Sequence, residues 1–276
     1  MQWDIFLQKR PSIMGILNVT PDSFSNGGLY FKTQNAIAHA HNLAQDGADI
    51  IDIGGESTRP FAKPISAEEE LKRVIPVIKV ISSELNIPIS IDTYKARVAK
   101  AAIEAGAKIV NDVSALRFDE DMAKVIADYQ VPVVLMHMKG TPRNMQINPF
   151  YKNVLKEVYE FLLQRIEFAL SQGIKIEQIA IDPGIGFGKR LNDNLLLIKH
   201  ITYFKNLGRP ILLGPSRKSF IGQILGIENP QERDIGTLGV IAHATLNNVD
   251  ILRVHAVKEA RQIIDVINAI KGATNG

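Results

Sequence analysis

The chain has 276 residues, 46% of them hydrophobic and 22% charged, which suits a globular protein able to bury a large core. Its 32 Lys and Arg against 29 Asp and Glu leave a formal charge of +3 with no dense basic run, so composition gives no support to a nucleic-acid surface. The absence of cysteine excludes disulfides, thiolate catalysis and zinc–thiolate sites, and no uncharged apolar run approaches the length of about 18 residues needed for a membrane span. The first residues mix Trp3, Asp4, Lys9 and Arg10 without an apolar stretch, so no signal peptide is expected and a cytoplasmic location is.

Along the chain, short β-branched runs alternate with longer amphipathic segments. Strands are expected at Ser12–Asn18, Ile50–Gly54, Pro88–Asp92, Ile109–Asp112, Val131–His137, Ile179–Asp182, Pro210–Gly214 and Ile251–His255. They are continuous apolar runs, as in parallel strands covered on both faces. Ser66 and Glu69 have capping-box spacing ahead of a helix whose apolar face is Leu71, Val74, Ile75 and Ile78, with Pro76 as a kink. Further helical faces are Val98, Ala101, Ala102 and Ala105, then Met122, Val125, Ile126 and Tyr129, then Leu155, Val158, Leu162 and Ile166, and last Ala260, Ile263, Ile264 and Ile267. Gly47-Ala-Asp-Ile-Ile-Asp52 resembles Gly106-Ala-Lys-Ile-Val-Asn111, a weak repeat of a helix stop followed by a strand that ends polar. Eight βα units in about 250 residues predict a single-domain (β/α)8 TIM barrel with its core over about 12–271; a doubly wound sheet is the alternative.

In such a barrel the loops after the strand C-termini build the site. Those ends carry Asn18, Gly54-Gly-Glu56, Asp92, Asn111-Asp112, His137, Asp182, Ser216-Arg-Lys218, and Arg253 with His255. Taken singly, each has a structural explanation: a turn former, a helix cap, a core histidine. Their joint occurrence at one end of the strands points instead to a flat, amide-like heterocycle plus an anion. A cyclic guanidine edge needs a carboxylate that accepts two N–H bonds, as Asp92 or Asp182 can. Asn111 can both donate and accept, and Lys218 can donate to a ring oxygen or nitrogen. Arg253 and His255 alternate on one strand and should face the same way, giving an anion site near Asn18. Pro183-Gly-Ile-Gly-Phe-Gly-Lys189 lacks both nucleotide-loop spacings and reads as a glycine-rich loop over a flat ligand. No transition-metal cluster has suitable spacing, and Ser216 and Ser219 have no base near in sequence.

As an ordered set these motifs resemble the dihydropteroate synthases. Ile16-Leu-Asn-Val-Thr-Pro-Asp-Ser-Phe-Ser25 and Asp52-Ile-Gly-Gly-Glu-Ser-Thr-Arg-Pro60 are similar to that family's first two signatures. Ser90-Ile-Asp-Thr93, Val110-Asn-Asp112, Met136-His-Met138, Asp182-Pro-Gly-Ile-Gly-Phe-Gly-Lys189, Gly214-Pro-Ser-Arg-Lys-Ser-Phe220 and Arg253-Val-His255 follow in the family's order.

The resemblance implies a transferase of folate biosynthesis. It would join 6-hydroxymethyl-7,8-dihydropterin diphosphate to 4-aminobenzoate, with Mg2+ as cofactor and a homodimer as assembly. It further implies that Asp92, Asn111, Asp182 and Lys218 hold the pterin, and that Asn18, Thr58, Arg253 and His255 contact the diphosphate. Asn18 would also help hold the metal. Phe24, Arg59, Pro60, Phe187 and Ser219 would form the aminobenzoate pocket, and Lys218, Arg253 and His255 would act in catalysis. Two positions depart from the family pattern. Asn26 stands where Asp is common in the first loop, and Ala256 stands where an Asp after the histidine could orient His255. The alternatives are a methyltetrahydrofolate–corrinoid methyltransferase-like barrel and a non-catalytic pterin-binding module.

Overall fold

A computed structural model describes residues 2–8, 11–20, 29–58 and 62–274. Phe24, Asn26, Arg59 and Pro60 lie outside the described residues. The strands are β1 Ser12–Asn18, β2 Ile50–Gly54, β3 Ile89–Asp92, β4 Ile109–Asp112, β5 Val133–Met136, β6 Ile179–Asp182, β7 Leu212–Leu213 and β8 Ile251–Val254. Among the described residues the α-helices are α1 Leu29–Gln45, α2 Ala67–Glu84, α3 Ala96–Glu104, α4 Met122–Tyr129, α5 Val154–Ser171, α6 Leu191–Lys199 and α9 Val257–Gly272, together with α7 Ser219–Leu225 and α8 Asp234–Leu246, which both fall between β7 and β8.

All strand pairs are parallel, in the order β6-β5-β4-β3-β2-β1-β8-β7. The seam closes where Ile181 bridges Ile211 and the Ile181 N–H donates to the Pro210 carbonyl at 2.9 Å. The expected (β/α)8 barrel is therefore the fold. β7 is shorter than the expected Pro210–Gly214 because Pro210 has no N–H to continue a ladder. β5 ends in regular form at Met136, although the His137 N–H still donates to the Asp182 carbonyl at 2.9 Å. Helix α2 starts as its capping signal predicts, with the Glu69 N–H donating to Ser66 Oγ at 3.2 Å, and it runs through Pro76.

Strand parity explains where the core ends and the site begins. Side chains two apart on a strand share a face. One set of these positions builds an apolar layer inside the barrel from Met14, Ile50, Ile109, Val134, Ala180, Leu212 and Ile251, and Trp3 and Leu7 pack into it from the N-terminal segment. Two residues further along the same faces stand Ile16, Asp52, Asn111, Met136, Asp182, Gly214 and Arg253. The opposite parity, for example Ile51, Ile91, Val110, Leu135, Ile181 and Leu252, packs outward in the larger core. The barrel is thus filled with hydrocarbon at the bottom and turns polar one layer higher.

Candidate active site

That polar layer forms a cavity lined by Asp92, Asn111, Asp182, Lys218 and Arg253, with Phe187, Met136, Val113 and Ile185 as apolar walls. Arg253, 19% exposed, spans two buried acids. Its Nε donates to Asp52 Oδ2 at 2.6 Å and its Nη2 to Asp92 Oδ2 at 2.7 Å. Asn111 Nδ2 donates to the same Asp52 oxygen at 3.1 Å. Among the described residues no hydrogen-bond partner reaches Asp52 Oδ1 or Asp92 Oδ1. Buried carboxylate oxygens without partners are costly, so the oxygen of Asp92 beside the cavity is a ready acceptor for a ligand N–H.

Asp182, at the end of β6, accepts the Gly184 N–H on Oδ1 at 2.7 Å. Burial raises its pKa to about 6, against the pull of the Gly184 N–H and of Lys218, Lys189 and Arg253. Burial also lifts Asp92 well above the usual carboxylate range, opposed by Arg253 and reinforced by Asp52. Lys218 is pushed the other way, to about 8, by burial and by Arg253. Its Nζ lies 4.0 Å from the centroid of the Phe187 ring, a cation–π contact that fixes ring and ammonium on one wall.

The glycine-rich loop, residues 183–189, closes another wall. Gly184 has φ +70°, and a Cβ there would fall 1.8 Å from the His137 carbonyl oxygen, so only glycine fits between β5 and β6. Lys189 turns inward beneath this loop and is buried. His137 is a core histidine, as its structural reading proposed: it is buried and meets the Phe161 ring edge-on at 4.8 Å.

The convergence of Asp92, Asn111, Asp182, Lys218 and Arg253 on one cavity is what the strand ends predicted. His255 is not among the residues lining this cavity. It lies just past β8, where its Nδ1 pairs with Ser216 Oγ at 2.9 Å and its N–H donates to the same oxygen at 3.2 Å. Ser216 therefore does have an imidazole beside it, and it orients His255 where Ala256 supplies no carboxylate. Arg253 is likewise shared: two of its five N–H donors go to Asp52 and Asp92. Asn18 ends β1 next to Gly54, where a Cβ would meet Asn18 Oδ1 and Asp92 Oδ2, each at 3.7 Å. Thr58 is half-buried, and Ser219 is exposed at the first position of α7.

Residues 14–255 match the family described as pterin binding enzyme. A dihydropteroate synthase of Synechocystis sp. is 46% identical over 262 residues, covering 95% of this chain and 91% of that protein. The chain belongs to the pterin-binding enzyme family. Among solved structures, Xanthomonas albilineans dihydropteroate synthase with 4-aminobenzoic acid is similar at a TM-score of 0.91 and 44% identity, covering 96% of this chain and 95% of that one. The Xanthomonas albilineans enzyme in complex with 7,8-dihydropteroate gives a TM-score of 0.88 at 42% identity over 96% and 95% of the two chains.

Two parts of this pterin-binding enzyme's site escaped the sequence reading. Asp52 was read only as the polar end of the weak repeat and as part of the second signature, with no place in the site. Its signal was parity: it shares the inward face with Ile50 and Gly54, so a charge there must look into the barrel. Lys189 was read only as part of a glycine loop, and its contact with His137 spans 52 positions.

Proposed function

We infer that the chain is a dihydropteroate synthase. It condenses 6-hydroxymethyl-7,8-dihydropterin diphosphate with 4-aminobenzoate to give 7,8-dihydropteroate and diphosphate. The observation that carries this reading is the convergence of Asp92, Asn111, Asp182 and Lys218 on one cavity walled by Phe187. A pterin presents donors and acceptors along one edge. Asp182 and the unpartnered Asp92 Oδ1 suit its N–H groups, the Asn111 carbonyl can accept another, and Lys218 can donate to a ring oxygen or nitrogen. Incubation with the pterin diphosphate, 4-aminobenzoate and Mg2+ should yield dihydropteroate, and failure to form it under conditions where the protein is folded would reject the reading.

In the reaction the methylene C–O bond breaks, its electron pair leaves with the diphosphate, and the neutral aryl amine forms the new C–N bond and then loses a proton. A weakly basic amine attacking a carbon made cationic by ring donation needs no strong base. Charge growing on the leaving oxygens calls for cations, and Arg253 faces the cavity while His255 and Thr58 belong to neighbouring strand-end loops. Among the described residues no three acidic or imidazole groups cluster as a metal cage. Asn18 Oδ1, beside Gly54 at the end of β1, nevertheless suits a hard cation that arrives mainly on phosphate. Asn18 would hold such a Mg2+, which when bound neutralises charge on the diphosphate. Phe187 and Ser219, with Phe24, Arg59 and Pro60, are proposed to take the aminobenzoate.

Because Asp182 must be ionised to accept two N–H bonds, protons compete with the pterin. With Asp92 at about 7 and Asp182 at about 6, pterin affinity should level off above pH 7, begin to fall as Asp92 takes up its proton, and fall more steeply below pH 6 as Asp182 does the same. Calorimetric titration with a pterin analogue between pH 5 and 8 checks this, and an Asp182→Asn variant should lose the lower of the two steps.

A homodimer is proposed on the exposed apolar residues of three adjoining helices: Ile224 and Leu225 of α7, Ile235 and Leu246 of α8, and Val266 and Ile270 of α9. Ile235 is 82% exposed, unusual for so apolar a side chain in a cluster of others. Light scattering should give twice the monomer mass, and Ile235→Glu should give the monomer. A cytoplasmic location accords with the lack of cysteine. Among the described residues no helix is long and apolar enough to cross a membrane.

A further inference from the structure

The Lys189 ammonium is fully hydrogen-bonded, with no carboxylate in contact among the described residues. Its Nζ donates to the Gly184 carbonyl at 2.8 Å, to the Phe187 carbonyl at 3.1 Å and to His137 Nδ1 at 2.9 Å. A fourth oxygen, the His137 carbonyl, lies at 3.4 Å. An ammonium has three N–H donors, and three acceptors converge on one point, so no other side chain of this length satisfies them all. His137 is the acceptor here because its burial, and the cations Lys189 and Arg117 near it, keep its imidazole neutral. Three further polar groups of the loop have neutral partners. Gln146 donates to the Gly186 carbonyl, Asn194 accepts the Gly186 N–H, and Tyr151 donates to the Gly188 carbonyl.

Both ends of what Lys189 holds belong to the ligand cavity. Gly184 gives its N–H to Asp182, and Phe187 is the ring on which Lys218 rests. A buried cation paired only with neutral groups costs stability, and a hydrophobic residue would pack under the loop more cheaply. We propose that Lys189 is a positioning residue of the pterin site, holding the 184–188 loop from beneath and keeping Asp182 ionised by its charge. This rests on the pterin reading of the cavity but adds a residue that does not touch the ligand.

The charges that face this pair are few. Asp182 meets Lys218, Lys189 and Arg253, together with the Gly184 N–H. Lys189 meets Asp182, Lys218, Asp193 and Lys139, besides His137. Burial lowers Lys189 to about 7, so it still carries its proton in the range near pH 6 where Asp182 titrates. Removing that charge should therefore raise the Asp182 pKa.

The test follows the Asp182 carboxyl carbon by NMR in the ligand-free protein, with and without Lys189→Met. The expected result is an upward move of the Asp182 midpoint by roughly 0.5–1 unit, with pterin affinity at neutral pH lower by about tenfold. An unchanged or lowered midpoint overturns the electrostatic role, and unchanged affinity overturns the positioning role. Should Lys189→Met fail to fold, Lys189→Gln removes the charge while keeping two N–H donors, and the same midpoint decides. The NMR reading needs no ligand. A wild-type protein that binds no pterin would thus count against the function, and an unmoved midpoint against Lys189 alone.

Discussion

Asp182→Ala is expected to remove pterin binding while leaving the fold intact. Among the described residues the hydrogen bond made by this carboxylate is to a backbone N–H, on Oδ1, and its second oxygen is proposed to serve the ligand. Loss of a charged partner to two ligand N–H groups costs about 2–5 kcal/mol, which is between roughly 30-fold and several thousand-fold in affinity. The ligand-free protein should not suffer in proportion. The folded-state pKa of Asp182 is raised, so above pH 6 its charge opposes folding rather than supporting it. Removing that charge offsets the Gly184 N–H left without its acceptor. Asp182→Asn keeps an oxygen for that N–H and should be at least as stable as the parent at pH 7.5. Calorimetry with a pterin analogue, beside thermal melts of the apo protein, separates the two effects. Unchanged affinity in a folded Asp182→Ala protein would remove Asp182 from the site.

Arg253→Ala should be the most damaging single change, and not for anion binding alone. The side chain is the shared partner of Asp52 and Asp92, both buried. Removing it leaves two carboxylates facing each other without a counter-charge, a change that typically costs about 3–5 kcal/mol. The sequence reading divided the labour, giving Arg253 to the diphosphate and Asp92 to the pterin. The ion pair joins them, so Arg253→Ala should weaken free pterin as well as diphosphate. The sign of its pH dependence follows from the same pair. Without Arg253 the Asp92 carboxyl binds its proton more tightly in the folded state, so the destabilisation should be largest at high pH and shrink as pH falls toward 5. Arg253→Lys should recover only part of the loss, since a point charge cannot bridge both acids as the planar guanidinium does. Melting curves at pH 5.5 and 8 test this; a loss independent of pH, or confined to diphosphate, would contradict the bridging role.

These expectations could be only half foreseen from the sequence. Asp92, Asn111 and Asp182 were legible because each ends an apolar strand, where barrel geometry turns a polar residue into the mouth of the fold. Asn18 and Lys218 followed from the same logic. What bonds to what was not legible, because it depends on contacts between distant strands. Arg253 reaches Asp52 across 201 positions and Ser216 reaches His255 across 39. Periodicity locates a side chain on a face but does not say which neighbour its charge will meet. Asp52 is the instructive case: it was read only as part of its motifs, while its parity with Ile50 and Gly54 would have exposed it. The extra helix α7 was not among the helical faces read from the sequence. The strand edges were placed to within a few residues; β5 and β7 are each three residues shorter than expected, and at β7 the late start traces to Pro210.

The most direct measurement is a crystal structure of the protein with a bound pterin. The pyrimidine edge should lie within about 3 Å of the free oxygen of Asp182 and of Asp92 Oδ1, with Lys218 donating to the ring and Phe187 alongside. A pterin bound elsewhere, or lying in this cavity with that edge turned away from both acids, would contradict the reading.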